Sequence, residues 1–150
     1  MSSMPTGPHV NVAVFCDAAL LGADQALTLV RIIDTVTQQV TGEDPPDQMP
    51  AFVIQTKFVV TLKADQARGR YKLKIQPQGP DGRDIPGQEQ VIHLEGGHTG
   101  INVIVDVHLA VELEGVYWFN VLFEAAPGDD RLLTRVPLRV LYQPQKPAPS

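Results

Sequence analysis

The sequence predicts an all-β chain, folded as an antiparallel β-sandwich of about eight strands. Three observations predict it. Apolar residues recur every second position, as in Tyr71, Leu73 and Ile75 set against Arg70, Lys72 and Lys74, which is the period of a half-buried strand. No segment sustains the i, i+3, i+4, i+7 stripe of an amphipathic helix over three turns. Turn-forming Gly, Pro and Asp clusters separate the alternating runs.

Taken in order, Val10, Val12 and Val14 start a first strand over 9–17, and Leu27–Val36 fills a second over 26–37. The run Phe52–Leu62 gives a third over 51–63, and the Tyr71 alternation a fourth over 69–76. Residues 88–95 form a fifth, closed by Gly96-Gly97, a pair that suits a hairpin turn with positive φ. Ile101, Val103, Val105, Val107 and Leu109 mark a sixth over 101–111. Tyr117, Phe119, Val121 and Phe123 mark a seventh over 115–124, and Val136, Leu138, Val140 and Tyr142 an eighth over 131–142. Pro137 lacks an N–H for a ladder, which places the last strand at an edge or a bulge. Strands with one apolar face each pair as two sheets packed face to face, with a closed barrel as the competing closure.

At 150 residues and 16.4 kDa the chain fits one domain over 9–143, between Pro-rich tails at 1–8 and 144–150. Seventeen acids against twelve bases give a net charge of −5, opposite in sign to the basic patch of a nucleic-acid binder, so no nucleic-acid partner is expected. No run approaches the ~20 apolar residues of a membrane helix, so no membrane partner is expected. A start without Lys or Arg lacks the basic region of a signal peptide. With a lone cysteine, Cys16, a cytoplasmic setting is expected.

Chemistry is sparse. Cys16 follows an apolar strand, and Asp17 beside it opposes thiolate formation, so a buried hydrophobic role is expected. The serines all lie in the tails, no Ser-His-Asp set can be assembled, and no enzyme or cofactor is expected. His93 and His98 flank Glu95 and form the nearest approach to a zinc motif, though the Gly-Gly turn reading of the same segment is simpler. Loop carboxylates raise an alternative function, a calcium-dependent binding module. Its candidate ligands are Asp44, Asp47, Asp81 and Asp84, with a solvated acidic surface as the plainer reading. Arg31 and Asp34 interrupt an apolar strand and point to opposite faces. Asp34 is expected inward, with a bulge that turns both outward as the alternative.

The candidate site is a surface. Trp118 and Leu122 are out of phase with the aromatic core face, as are Leu133 and Leu141 on the last strand, and Arg135 and Arg139 flank them. An outward apolar patch with Trp and Arg is the composition of a protein contact. The expected partner is therefore a protein, either a second copy or a larger assembly to which this chain is an accessory subunit. The plainer reading is that a bulge or the chain's own loops absorb these residues.

The segments Cys16-Asp17-Ala18-Ala19 and Leu27–Thr35, with Gly115–Phe119 and Arg135–Val140 near the end, resemble an uncharacterised family of small bacterial domains of unknown function. The resemblance covers residues 10–142. It implies an immunoglobulin-like or C2-like β-sandwich with no assigned activity and no catalytic residues. Gly115-Val116-Tyr117 is similar to the tyrosine corner of immunoglobulin-like domains, with Leu113 where an aspartate is usual.

Overall fold

The computed structural model describes residues 7–41 and 52–145. The expected loop carboxylates Asp44 and Asp47, and most of both expected tails, lie outside these residues. The described residues form strands and no helix. The strands are β1 (His9–Leu21), β2 (Leu27–Ile33), β3 (Thr35–Thr41), β4 (Phe52–Gln78), β5 (Gln88–Val111), β6 (Gly115–Ala126) and β7 (Asp129–Gln145). Among the described residues no helix is long and apolar enough to cross a membrane.

The all-β class holds, but the architecture is a single curled, mixed sheet of seven strands rather than two separate antiparallel sheets. Its order is β2-β1-β4-β6-β7-β3, with β5 paired to β4. Two expected breaks are absent. Residues 51–63 and 69–76 are one strand, β4, and residues 88–95 and 101–111 are one strand, β5. At both places the chain bends without leaving the ladder. Asp65 (φ 52°) and Gly69 (φ 121°) relieve the bend in β4, and Gly96 (φ 81°) and Gly97 (φ 69°) that in β5. Asp65 still pairs with Gly97, so Gly96-Gly97 curves a strand and does not close a hairpin. Conversely, the expected strand 26–37 splits at Asp34. β2 returns antiparallel along β1, while β3 crosses to run parallel to β7.

The bend divides the sheet into two halves that face each other. Phe52–Lys63 of β4 pairs with Gly100–Val111 of β5, and His9–Cys16 of β1 with Lys57–Lys63. Lys72–Gln78 pairs with β6, and Lys72–Ile75 also with the start of β5. Rings from both halves meet in the middle. Phe15 lies 4.7 Å from Phe58 and 4.8 Å edge-on from Phe119, and Phe52 lies 5.8 Å from Tyr142. Leu62, Leu73, Leu94, Val121 and Leu138 complete this core, and the alternation of β5, β6 and β7 supplies it from one face only.

The β1–β2 hairpin departs from this plan. Phe58, Val59 and Val60 are all fully buried, yet consecutive strand residues face opposite ways. Val59 points out of the core and is covered because the hairpin folds back over the outer face of the first half-sheet. There Leu21, Leu27 and Leu29 come opposite Asn11, Thr61 and Asn102. The hairpin kinks where Asp17 and Arg31 stand across from one another. Arg31 takes φ 53° and its guanidinium meets the Asp17 carboxylate at 3.1 Å. The expectation of an inward Asp34 is therefore wrong. Asp34 is exposed, and its carbonyl accepts the Arg139 N–H at 3.0 Å, joining β3 to β7.

Candidate functional site

The surface expected from Trp118 is only partly assembled. On the outer face of the second half-sheet Trp118 stands against Pro137 in register. The Arg135 guanidinium lies over its indole at 4.6 Å while donating to the Asn120 side-chain carbonyl at 2.8 Å. Trp118 is thus half-buried by its own neighbours, a cation stacked on a ring face. Leu122 is half-buried on the same face beside Lys74. Arg139 is exposed and Leu141 half-buried towards the β3 edge.

Leu133 does not belong to this face. The β6–β7 register shifts between Val121 and Leu122, so that Val121 pairs with Thr134 but Leu122 with Leu132. The extra residue, Leu133, turns inward and packs on the core, leaving Leu132 outward at 50% exposure. A one-residue insertion flips which leucine faces water. Pro137 needs no bulge of its own: among the described residues β3 pairs only with Arg139–Gln145, so Pro137 lies on the uncovered stretch of β7, where its missing N–H costs no ladder bond.

The longest open edge among the described residues lies elsewhere, on β5. Among the described residues β5, 24 residues long, pairs with β4 alone. One carbonyl on it, that of Asp106, accepts the Gln88 side-chain amide at 2.9 Å. Asp106 projects from the outer face, where the Lys57 ammonium bonds its carboxylate and holds it below the ordinary value of 3.8. His108 and Ala110 are exposed beside it, and Ile104 is 37% exposed. Nothing in the sequence distinguished this edge from the others, because edge position is a property of pairing order and not of a strand's own residues.

The remaining candidates are dispersed. Among the described residues no group of three or more His, Cys, Asp or Glu side chains is placed to hold a metal ion. Asp81 accepts the Arg83 N–H at 3.2 Å and meets its guanidinium at 3.4 Å, an ordinary turn contact. Asp84 forms an isolated bridge with Gln78. His93 and His98 are exposed on either side of the β5 bend. Cys16 is fully buried. Desolvation, reinforced by the Asp17 charge, pushes its thiol up, away from thiolate. Near the start of β6 the Tyr117 hydroxyl donates to the Leu113 carbonyl at 2.8 Å.

A family model, described as a family of unknown function (DUF6941), matches residues 11–141. The chain belongs to this family. The DUF6941 match runs from Asn11 in β1 to Leu141 in β7, so it takes in the β5 edge, the Trp118 face and the folded-back hairpin together. No curated protein matches the chain. The DUF6941 description carries no activity that could be transferred to any of these surfaces.

Proposed function

We propose that this DUF6941 domain is a non-enzymatic module that works through protein contacts, and that its first contact is with a second copy of itself along β5. The observation that carries this reading is the open β5 edge. A long edge strand with free backbone N–H and C=O groups is a template for another strand, and proteins ordinarily blunt or cover it. Here Gln88 caps one carbonyl. The side chains favour self-pairing in one register. A two-fold axis through Val107 sets Asp106 against the partner's His108, and Ile104 against the partner's Ala110. Shifting the axis to Asp106 would oppose two carboxylates, which is unfavourable across strands. An isologous contact of this kind closes a dimer.

The Trp118 face, with Leu122, Leu132, Arg135, Arg139 and Leu141, is the surface left for a further protein partner in the accessory-subunit version of the same reading. The non-enzymatic reading is supported by the buried, proton-holding Cys16 and by the scattered histidines. We read the curled sheet as an immunoglobulin-like sandwich, supported by the parallel pairing of β3 with the last strand and by the Tyr117–Leu113 hydrogen bond. The lone cysteine supports a reducing, cytoplasmic setting.

Light scattering on a sizing column tests the contact. The wild type at about 50 µM is expected at twice 16.4 kDa. His108→Asp, which opposes two carboxylates at each symmetry-related pair, is expected to raise the dissociation constant about tenfold, roughly 1.4 kcal/mol. A monomeric wild type, or a His108→Asp dimer as tight as the wild type, overturns the self-pairing.

A further inference from the structure

Folding the β1–β2 hairpin over the outer face of the first half-sheet leaves a cleft of about 640 Å³ between them. That is within the roughly 300–1,000 Å³ of small-molecule sites. Its two walls differ in chemistry. The hairpin contributes Leu21, Leu27 and Leu29, with Gln25 at its turn. Leu21 is left 55% exposed, so the apolar wall is not closed by the chain itself. The sheet contributes Asn11, Thr61, Lys63 and Asn102.

Two features of the sheet wall point to a ligand. The Thr61 hydroxyl oxygen is buried and has no hydrogen-bond partner, an uncommon and costly state for a buried polar atom. Asn11 is the extra residue of the bulge in β1, where Val10 pairs with Leu62 but Val12 with Thr61. That insertion places Asn11 on the same cleft wall as Thr61. The wall's charge is of one sign. Lys63 is exposed and is in no ion pair among the described residues, and no acid lines the cleft, although the chain carries a net charge of −5.

We propose that this cleft binds an amphipathic organic anion, a carboxylate on an aliphatic chain. The head meets the Lys63 ammonium, with the Asn11 and Asn102 amides and the Thr61 hydroxyl as donors. The chain lies along Leu21, Leu27 and Leu29. A bare inorganic anion would leave the leucine wall wet, and a cation would meet Lys63 with no carboxylate to balance it.

Cys16 supplies the readout, because it is fully buried at the root of the hairpin, in register with Ile32. Its alkylation by iodoacetamide reports any opening, local or global, that uncovers it. Octanoate at one hundred times its dissociation constant is expected to slow that reaction about a hundredfold if it binds only the closed hairpin. Octylammonium, octanol and inorganic phosphate are expected to leave it unchanged. Thr61→Val, of nearly the same shape, is expected to bind octanoate several-fold more weakly with the free protein no less stable. Lys63→Met is expected to lose about tenfold. The proposal is overturned if octanoate gives no protection, or if octanol protects equally, which would mark an unselective apolar gap. It is also overturned if both variants bind octanoate like the wild type, which would leave the space to water.

Discussion

At the residue scale the molecule is held by a few side chains whose partners the sequence only hinted at. Tyr117 is one. Burial pushes its phenol up, so it stays a protonated donor, and it donates to the Leu113 carbonyl. Tyr117→Phe keeps the ring in the core and deletes only that bond, so it is expected to cost about 0.5–1.5 kcal/mol in urea unfolding. An unchanged midpoint would mean that water serves Leu113 as well. Asp106 is another. Lys57 lowers its folded-state value below 3.8, so the stability it contributes is fully present above 3.8 and fades as pH falls through the lower folded value. Asp106→Asn should therefore be less stable than wild type at pH 7, with the gap closing as pH falls below 3.8 and through the lowered folded-state value. A gap that stays constant with pH would mean that the loss comes from packing and not from charge. The pair is exposed, so the effect is small.

At the element scale, what the sequence made legible was periodicity, and what it hid was curvature. The two-residue rhythm of Tyr71–Ile75 and of Ile101–Leu109 placed the inward residues correctly, since burial imposes that rhythm locally. Gly96-Gly97 looked like a turn because the same positive φ that closes a hairpin also bends a continuous strand. Only the partner strand, through Asp65 opposite Gly97, decides between them. Leu133 was misplaced for a related reason. Alternation carried back from Val136 and Leu138 predicts Leu133 outward, but the insertion opposite Val121 and Leu122 reverses it. Both leucines look alike in sequence, and substitution separates them. Leu133→Ala is expected to cost about 1–3 kcal/mol, and Leu132→Ala to stay within about 0.5 kcal/mol of wild type. Equal effects on the denaturation midpoint would put the register shift elsewhere. The Trp118 face was legible as a face, since phase alone put Trp118 opposite Tyr117 and Phe119. The stacked Arg135 was not, because it depends on which strand lies alongside.

At the scale of the whole molecule, the question is whether the two facing halves behave as one body. Their hydrogen-bond ladders meet through the bent β4 and β5, and their cores do not separate. Phe15 and Phe58 from the first half share an aromatic cluster with Phe119 from the second. β3, which follows β2 of the first half, is hydrogen-bonded into the second beside β7. Removing either half would expose Phe, Leu and Val side chains that are now fully buried, which is a large loss of apolar burial. Partial unfolding is therefore costly, and the chain is expected to unfold in a single step. Two probes sit in opposite halves. Trp118 fluorescence reports the second, and the Cys16 thiol, now fully buried, reports the first. At one fixed protein concentration, the urea midpoints from Trp118 emission and from Cys16 labelling should coincide, with the same steepness. If Cys16 became reactive well before Trp118 responded, the β1–β2 hairpin would be an independently opening lid. The shared aromatic cluster would then not reach far enough to bind the hairpin to the core.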